Sequence, residues 1–171
     1  PRAEYMKNGE AKAAKPAGSF IEMARKFELS EANTEALLKY ADSIGIEFLS
    51  SPFDVPSVHY LASLKLKRLK IPSGELVNPL LLEAAAKTGL PLIVSTGMAN
   101  LEEVEYAVGI LKKNNSGPIS LLHCLTQYPA EFRHVNLNAM LTLAKHFPEC
   151  GIGFSDHTPG TEISSAAVAL G

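Results

Sequence analysis

Five apolar runs recur along the chain, and each changes abruptly to polar residues at its C-terminal end. The runs begin near residues 46, 69, 92, 119 and 152, at intervals of 23 to 33 residues. They are nearly continuous rather than alternating, which is typical of strands buried on both faces of a parallel sheet. Such an interval fits a strand, a crossover helix and two loops. The pattern therefore predicts five parallel strands, over 46–54, 69–75, 92–98, 119–129 and 152–158.

Helical segments are predicted between these strands. The clearest follows Ser30, which is a suitable N-cap, and it ends before Gly45, which stands where a C′ glycine belongs. Residues 1–19 show little periodicity and are predicted to form an irregular loop. The other helices are predicted over 20–27, 58–64, 79–88, 101–113 and 136–147, with an interrupted one after 164.

Alternating strands and helices give a parallel sheet covered by helices, either a doubly wound open sheet or a (β/α)8 barrel. No GxGxxG motif follows a strand, and polar residues follow all five strands rather than only two at a switch point. In a barrel, functional groups gather at the C-terminal ends of all strands. The sequence therefore favours an α/β fold of the TIM-barrel type, with about five strand–helix units present.

Composition excludes several classes of function. The 171 residues are 46% hydrophobic, and 16 Lys and Arg against 18 Asp and Glu give a net charge of −2, which does not suggest nucleic-acid or membrane-surface partners. No apolar run approaches the ~20 residues of a membrane helix. Cys124 and Cys150 are isolated, which favours reduced thiols and a cytoplasmic location. Pro1 at the start and the interrupted last helix indicate a piece of a longer protein.

The strand ends carry one lysine among many hydroxyl groups. Lys70 together with Ser and Thr side chains could bind an oxyanion, with a phosphate or phosphate ester as the expected occupant. Glu75 would repel a phosphate, so we expect it to face a second substrate as a general acid/base or hydroxyl-binding group. His157 could ligate a metal together with a second ligand, or transfer a proton. The strand-end residues are Ser50, Ser51, Asp54, Lys70, Ser73, Glu75, Ser95, Thr96, Thr126, Gln127, Tyr128, Ser155, Asp156 and His157.

Each of these residues also has an ordinary structural explanation. A strand-end lysine is commonly solvated, and Ser and Thr often bond their own backbone in turns. Glu75 could support the N-cap of the next helix, and the whole role of Asp156 could be to orient its neighbours. His123 is interpreted as a core or supporting histidine, whereas His59, His134 and His146 are assigned to the surface. The convergence of five strand ends is what favours function.

The ordered series SSPFD, KIPSGE, STGM, HCLTQYP and GFSDHT resembles the sialic acid synthases over the whole chain. This is the nonulosonic acid synthase family, which includes N-acetylneuraminate, legionaminate and spore-coat polysaccharide members. The resemblance implies condensation of phosphoenolpyruvate with an N-acetylated amino sugar of the N-acetylmannosamine type, with release of phosphate by C–O cleavage. It also implies a divalent metal, Mn²⁺ or else Mg²⁺ or Co²⁺, and a homodimer in the full-length protein.

The resemblance implies roles for individual residues. Lys70 and Ser73 correspond to phosphoenolpyruvate-binding residues, and Ser95 and Ser155 to further phosphate or carboxylate contacts. Glu75 corresponds to a carboxylate that faces the reacting carbonyl of the sugar. Ser51 stands in place of a family Thr that also binds phosphate or carboxylate, and Thr126 stands in place of Asn or Ser. Tyr128 corresponds to an aromatic residue beside the sugar, and His157 corresponds to one of two metal-ligating histidines.

Two departures from the family accompany the resemblance. Pro72 stands where many members have Gly, so its backbone cannot donate to an oxyanion. The family's second metal-binding histidine belongs to the eighth strand, which is expected to lie outside residues 1–171. Residues 1–171 are expected to be a partial TIM-barrel catalytic domain, without the first two strands, the eighth strand and the C-terminal antifreeze-like domain. Alone it is predicted to be inactive and, with two open sheet edges, poorly stable.

Two other functions remain open at this point. One is a Schiff-base aldolase with Lys70 as the nucleophile. The other is a non-catalytic module that binds a sugar phosphate; such a module would have no need to retain Glu75 and His157.

Overall fold

The computed structural model describes residues 5–7, 10–12, 20–114 and 117–171, and the chain divides into two compact parts, Pro1–Phe48 and Leu49–Gly171. In the first part, strands β1 (Tyr5–Lys7) and β2 (Glu10–Lys12) pair in antiparallel register. The predicted irregular loop is therefore wrong for these residues, because their backbone groups bond to each other in a short ladder. The rest of 1–19 lies outside the described residues.

Helices α1 (Phe20–Phe27) and α2 (Glu31–Ser43) follow in the same part of the chain. The hydroxyl of Ser30 accepts a hydrogen bond from the backbone N–H of Asn33 at 3.2 Å. Gly45 has φ of +73°, which is the left-handed conformation that ends many helices. The predicted start and stop of α2 are confirmed.

The strand predicted over 46–54 does not form. Ile46 donates its N–H back to the carbonyl of Ala41 at 2.9 Å, and Asp54 is the N-cap of helix α3 (Val55–Ser63), accepting from Ser57 N–H at 2.7 Å. Ile46 and Phe53 are 62% and 64% exposed. A strand requires a ladder partner, and in the described residues the parallel sheet begins further along the chain. Asp54 is therefore a capping residue.

The other four predicted strands form one parallel sheet in the order β3-β4-β5-β6. The strands are β3 (Leu69–Ile71), β4 (Leu92–Ser95), β5 (Ile119–Cys124) and β6 (Gly151–Ser155). The helices after them are α4 (Pro79–Lys87), α5 (Leu101–Asn114), α6 (Asn138–His146) and α7 (Glu162–Ala169). The predicted alternation of parallel strands and helices is confirmed for these four units.

The two faces of this sheet differ. Leu69, Ile71, Val94 and Leu121 on one face are fully buried. The opposite face also carries Ile93 and Leu122, but every strand has small or polar residues there, most of them only partly buried. They include Lys70, Ser95, Ser120, Cys124, Gly153 and Ser155. The lysine and the serine hydroxyls of the four strands therefore lie on this face. No helix in the described part of the chain has the length and apolar character that a membrane span requires.

Candidate active site

Lys70 and Ser95 meet on the polar face of the sheet. Lys70 is opposite Ile93 in the β3–β4 pairing, so Ser95, two residues after Ile93, shares its face. The ammonium of Lys70 donates to Ser95 Oγ at 2.5 Å and to the carbonyl of Ile71 at 3.2 Å. Ser95 is only 3% exposed. Because both acceptors are uncharged, neither neutralises the lysine, and the pair presents positive charge beside a hydroxyl.

The surroundings of Lys70 strengthen its interaction with an anion. Partial burial lowers the pKa of Lys70 from its ordinary value, and the nearby thiol of Cys124 opposes this shift. Cys124 lies on the same face and is opposite Ser155 in the β5–β6 pairing. Charges in a partly dry site are screened less than charges in water. An anion that displaces the remaining water would therefore be bound firmly.

Three strand ends converge at Gly97. A Cβ atom at this position would lie 2.4 Å from Ser73 Cβ, 2.7 Å from Ser73 Oγ and 3.3 Å from Thr126 Cγ2. Gly97 also has φ of +54°. The missing side chain thus lets the turns after β3, β4 and β5 come together, and it brings Ser73 and Thr126 to one place. Nothing in the sequence assigned Gly97 a role, although it stands in the STGM motif.

Substitution of Gly97 tests this convergence. We expect Gly97→Ala to destabilise the protein by at least ~2 kcal/mol, since it adds a steric clash to the ~1 kcal/mol of strain at positive φ. Gly89→Ala is the matched control, because Gly89 has φ of +69° with nothing within 4 Å of the added Cβ. Denaturant unfolding of both variants measures the difference. Equal losses of stability would show that the close approach at Gly97 has no energetic consequence.

His157 is held in a defined orientation after β6. Its Nδ1 contacts the carbonyl oxygen of Leu125 at 2.5 Å, and the ring of Tyr128 lies 4.1 Å away, centroid to centroid. A carbonyl oxygen only accepts, so Nδ1 donates in this contact, and in the neutral imidazole Nε2 is then the nitrogen that carries the lone pair. This arrangement is common in metal-ligating histidines. The structure brings His157 and Tyr128 together, as two neighbours at the ends of β5 and β6.

The donor set for a metal is incomplete in the described residues. They contain no group of three or more His, Cys, Asp or Glu side chains arranged to hold an ion. His157 fits the role of one ligand by its tautomer and its fixed ring.

Asp156 organises the loop that carries His157. Its carboxylate accepts from Thr158 N–H and Oγ1, both at 2.7 Å, and from Ser164 Oγ at 2.5 Å. Partial desolvation raises the pKa of Asp156, but the hydrogen bonds from Ser164 and Thr158 outweigh it and leave the pKa lowered. Asp156 therefore orients its neighbours, as the simpler interpretation of the sequence proposed.

Glu75 lies in a 3₁₀ turn directly after β3. Its Oε2 accepts a hydrogen bond from the amide Nδ2 of Asn78 at 2.8 Å, and Asn78 is the N-cap of α4. The sequence-based expectation that Glu75 supports the cap of the next helix is thus confirmed. That contact occupies one carboxylate oxygen and does not exclude a role for the other. Asn78 was not identified from the sequence.

The remaining predicted residues are less closely tied to Lys70. Thr96 is nearly buried and donates to the carbonyl of Leu122 at 3.2 Å, which is a structural contact. Gln127 contacts His134 at the surface at 3.3 Å. Ser50 and Ser51 are half-buried in the irregular segment before α3. Among the contacts of the described residues, none joins Ser51 to Lys70.

The other histidines lie where the sequence placed them. His123 Nε2 contacts the carbonyl of Val135 at 2.7 Å, which makes it a supporting residue. His59, His134 and His146 are exposed. His157 is therefore the histidine that the fold presents at the strand ends of the described sheet.

Known proteins resemble this chain along its whole length. The profile of the NeuB family matches residues 1–171. The N,N'-diacetyllegionaminic acid synthase of Legionella pneumophila is 44% identical over 174 residues, which cover 99% of this chain and 48% of that protein. The N-acetylneuraminate-9-phosphate synthase of Homo sapiens is 36% identical over 90% of this chain and 42% of its own length. The chain thus spans about half the length of these curated relatives.

Solved structures give the same result. The crystal structure of N-acetylneuraminic acid synthetase from Leptospira borgpetersenii in complex with citrate has a TM-score of 0.85 at 39% identity, over 88% of this chain and 52% of that one. A truncated 3-deoxy-D-arabino-heptulosonate 7-phosphate synthase from Thermotoga maritima, at 19% identity and a TM-score of 0.66, shares the fold. The fold is therefore part of a (β/α)8 barrel, and the chain belongs to the NeuB family.

Proposed function

We propose that the complete protein condenses phosphoenolpyruvate with an N-acetylated amino sugar to form a nonulosonic acid and phosphate. The observation that carries this proposal is the hydrogen bond between Lys70 and Ser95 on the polar face of a NeuB-family sheet. A lysine beside hydroxyl groups in a partly dry site suits a ligand that bears both a phosphate and a carboxylate. The relatives named as legionaminic acid and N-acetylneuraminate-9-phosphate synthases support the product class.

Lys70 is the proposed anchor of phosphoenolpyruvate. Ser95 already accepts from its ammonium, and an oxyanion would be bound by the lysine and by hydroxyl donors around it. Ser73 and Thr126 stand beside Gly97 and supply hydroxyls from the neighbouring strand ends. Ser155 and Ser51 are the remaining proposed contacts.

Glu75 and Tyr128 are the proposed residues for the sugar. Glu75 keeps one carboxylate oxygen on Asn78, so its other oxygen can accept from a sugar hydroxyl or move a proton near the carbonyl. Tyr128 is 59% exposed, and partial desolvation of its hydroxyl raises its pKa, with Cys124 adding to this effect. Tyr128 therefore stays protonated at neutral pH and can donate a hydrogen bond.

A divalent ion, Mn²⁺ or else Mg²⁺ or Co²⁺, would act when bound as a Lewis acid on the sugar aldehyde. In this chain His157 would provide one nitrogen ligand through Nε2, since Nδ1 is held by Leu125. Asp156 would maintain the loop that sets the ring in place.

The reaction balances with these two substrates and water. The enol carbon of phosphoenolpyruvate forms the new C–C bond with the sugar carbonyl carbon, whose oxygen takes up a proton. Water then adds to the cationic carbon that bears the phosphate and loses a proton. Cleavage of the C–O bond releases inorganic phosphate and leaves the 2-oxo acid. The chain's contribution is to hold both partners in reacting geometry and to stabilise negative charge.

The proposal extends to the setting of the enzyme. We expect this chain to be part of a TIM-barrel catalytic domain that acts in the cytoplasm as a homodimer. Since the second metal-binding histidine is expected outside residues 1–171, this piece alone should be inactive.

Product analysis tests the proposed function. The complete protein is incubated with phosphoenolpyruvate and each of a panel of N-acetylated hexosamines, with and without Mn²⁺, and products are identified by mass spectrometry. We expect a nine-carbon 2-oxo acid and one phosphate per turnover, with phosphoenolpyruvate labelled with ¹⁸O at the bridging position giving labelled phosphate. Unlabelled phosphate, or no sugar acid with any hexosamine, would contradict the proposal.

A Schiff-base aldolase is the second candidate, favoured by the lowered pKa of Lys70. Such an enzyme would form an imine between Lys70 and pyruvate, which borohydride reduces to a stable adduct. Intact-mass analysis after borohydride treatment separates the two functions. A metal-dependent condensation leaves the mass of the protein unchanged.

A further inference from the structure

Two hydrogen bonds tie Glu75 to Asn78. The backbone N–H of Asn78 donates to the carbonyl of Glu75 at 3.0 Å, and the side-chain Nδ2 of Asn78 donates to Glu75 Oε2 at 2.8 Å. The carboxylate is thus held at one oxygen, while Oε1 remains for another partner. A glutamate side chain has three rotatable bonds, so a fixed contact at its tip restricts it strongly.

The same asparagine anchors this contact in the fold. Its Oδ1 accepts from the N–H of Leu81 at 3.3 Å and caps α4, and its carbonyl accepts from Leu82 N–H at 3.0 Å. Leu81 and Leu82 are fully buried. The side chain of Asn78 therefore fixes the Glu75 carboxylate relative to helix α4, which packs into the core through Leu81 and Leu82.

The asparagine at position 78 makes one hydrogen bond more than a helix cap requires. Ser30 caps α2 and Asp54 caps α3 with a single acceptor oxygen. A serine at position 78 would cap α4 without donating to Glu75, and an aspartate would place a second negative charge against it. The asparagine amide uses two different atoms for the two contacts, since Oδ1 accepts from the helix and Nδ2 donates to the carboxylate.

We propose that Asn78 is a positioning residue that fixes Glu75 toward the second substrate. The inference rests on the proposed function, in which Glu75 faces the amino sugar. Asn78 touches neither substrate. It selects the rotamer of Glu75 and keeps Oε1 directed at a hydroxyl or carbonyl of the sugar. This positioning of Glu75 favours binding of the neutral, polyhydroxylated substrate rather than of the anionic substrate.

Three substitutions in the complete protein separate positioning from capping. Asn78→Ser and Asn78→Asp retain an acceptor for α4, so we expect thermal midpoints close to that of the wild type. We expect both to lower kcat about tenfold or to raise the KM for the N-acetylhexosamine by that factor, with the KM for phosphoenolpyruvate within twofold. Asn100→Ser is the matched control, because Asn100 caps α5 through Oδ1 and contacts Glu103 rather than Glu75.

The outcomes distinguish this inference from the proposed function. Wild-type kinetics in Asn78→Ser, or equal losses in Asn78→Ser and Asn100→Ser, would overturn the positioning role while the synthase function stands. If the wild-type protein makes no sugar acid, both fail.

Discussion

Replacing Lys70 with alanine should raise the KM for phosphoenolpyruvate about a hundredfold, while the KM for the amino sugar changes less than threefold. Lys70 donates to Ser95 Oγ at 2.5 Å and supplies the positive charge beside that hydroxyl. A charge-assisted hydrogen bond to an oxyanion in a partly desolvated site is worth ~2 to 3 kcal/mol, which corresponds to this factor. Steady-state kinetics with each substrate varied in turn measures the two constants separately.

Lys87→Ala is the control for loss of a lysine, because Lys87 is 65% exposed and pairs with Glu83 on the surface of α4. It should leave both constants unchanged. An equal effect of Lys70→Ala on both substrates would contradict the assignment of Lys70 to phosphoenolpyruvate.

The same lysine should be dispensable for folding. Burial lowers the pKa of Lys70 below 10.5, so the protonated amine is less favourable in the folded state than in the unfolded state. This cost is present below the folded-state pKa and disappears as pH rises above the ordinary value. Lys70→Met should therefore keep or raise the thermal midpoint at pH 7. A clear loss of stability at that pH would indicate a structural role instead.

Replacing His157 with alanine should abolish metal-stimulated turnover, with a fall of at least about a hundredfold. The Nδ1 contact with Leu125 leaves Nε2 as the nitrogen that can bind a cation, and removal of a ligand costs most of the metal affinity. Turnover is measured against Mn²⁺ concentration from chelator-treated protein. We expect the wild type to saturate and His157→Ala to remain flat.

His146→Ala is the matched control for this substitution. His146 Nδ1 makes a similar contact, with the carbonyl of Thr142 at 2.9 Å, but on the exposed face of α6. It should retain the Mn²⁺ response of the wild type. If His157→Ala instead keeps full activity in metal-free buffer, His157 is not a metal ligand.

The sequence predicted those parts of the fold that depend on local patterns. Ser30 and Gly45 delimit α2 as expected, and the four apolar runs from 69 onward are strands of one parallel sheet. The run over 46–54 has the same composition yet forms no strand. An apolar run becomes a strand only when a neighbour completes its ladder, and composition does not report that neighbour.

The site was predictable at the level of residue types but not of contacts. Lys70 and Ser95 were both singled out, and the parity of positions along paired strands brings them together. Gly97 and Asn78 were missed, because each acts through what it touches. A glycine that admits Ser73 and an asparagine that holds Glu75 look, in a sequence, like turn residues.

A crystal structure of the complete protein with bound phosphoenolpyruvate tests the central claim most directly. The account predicts a phosphate or carboxylate oxygen of the ligand within about 3 Å of Lys70 Nζ, with the hydroxyls of Ser73 and Ser95 around it. Ligand density elsewhere, with Lys70 still bonded only to Ser95 and Ile71, would contradict it.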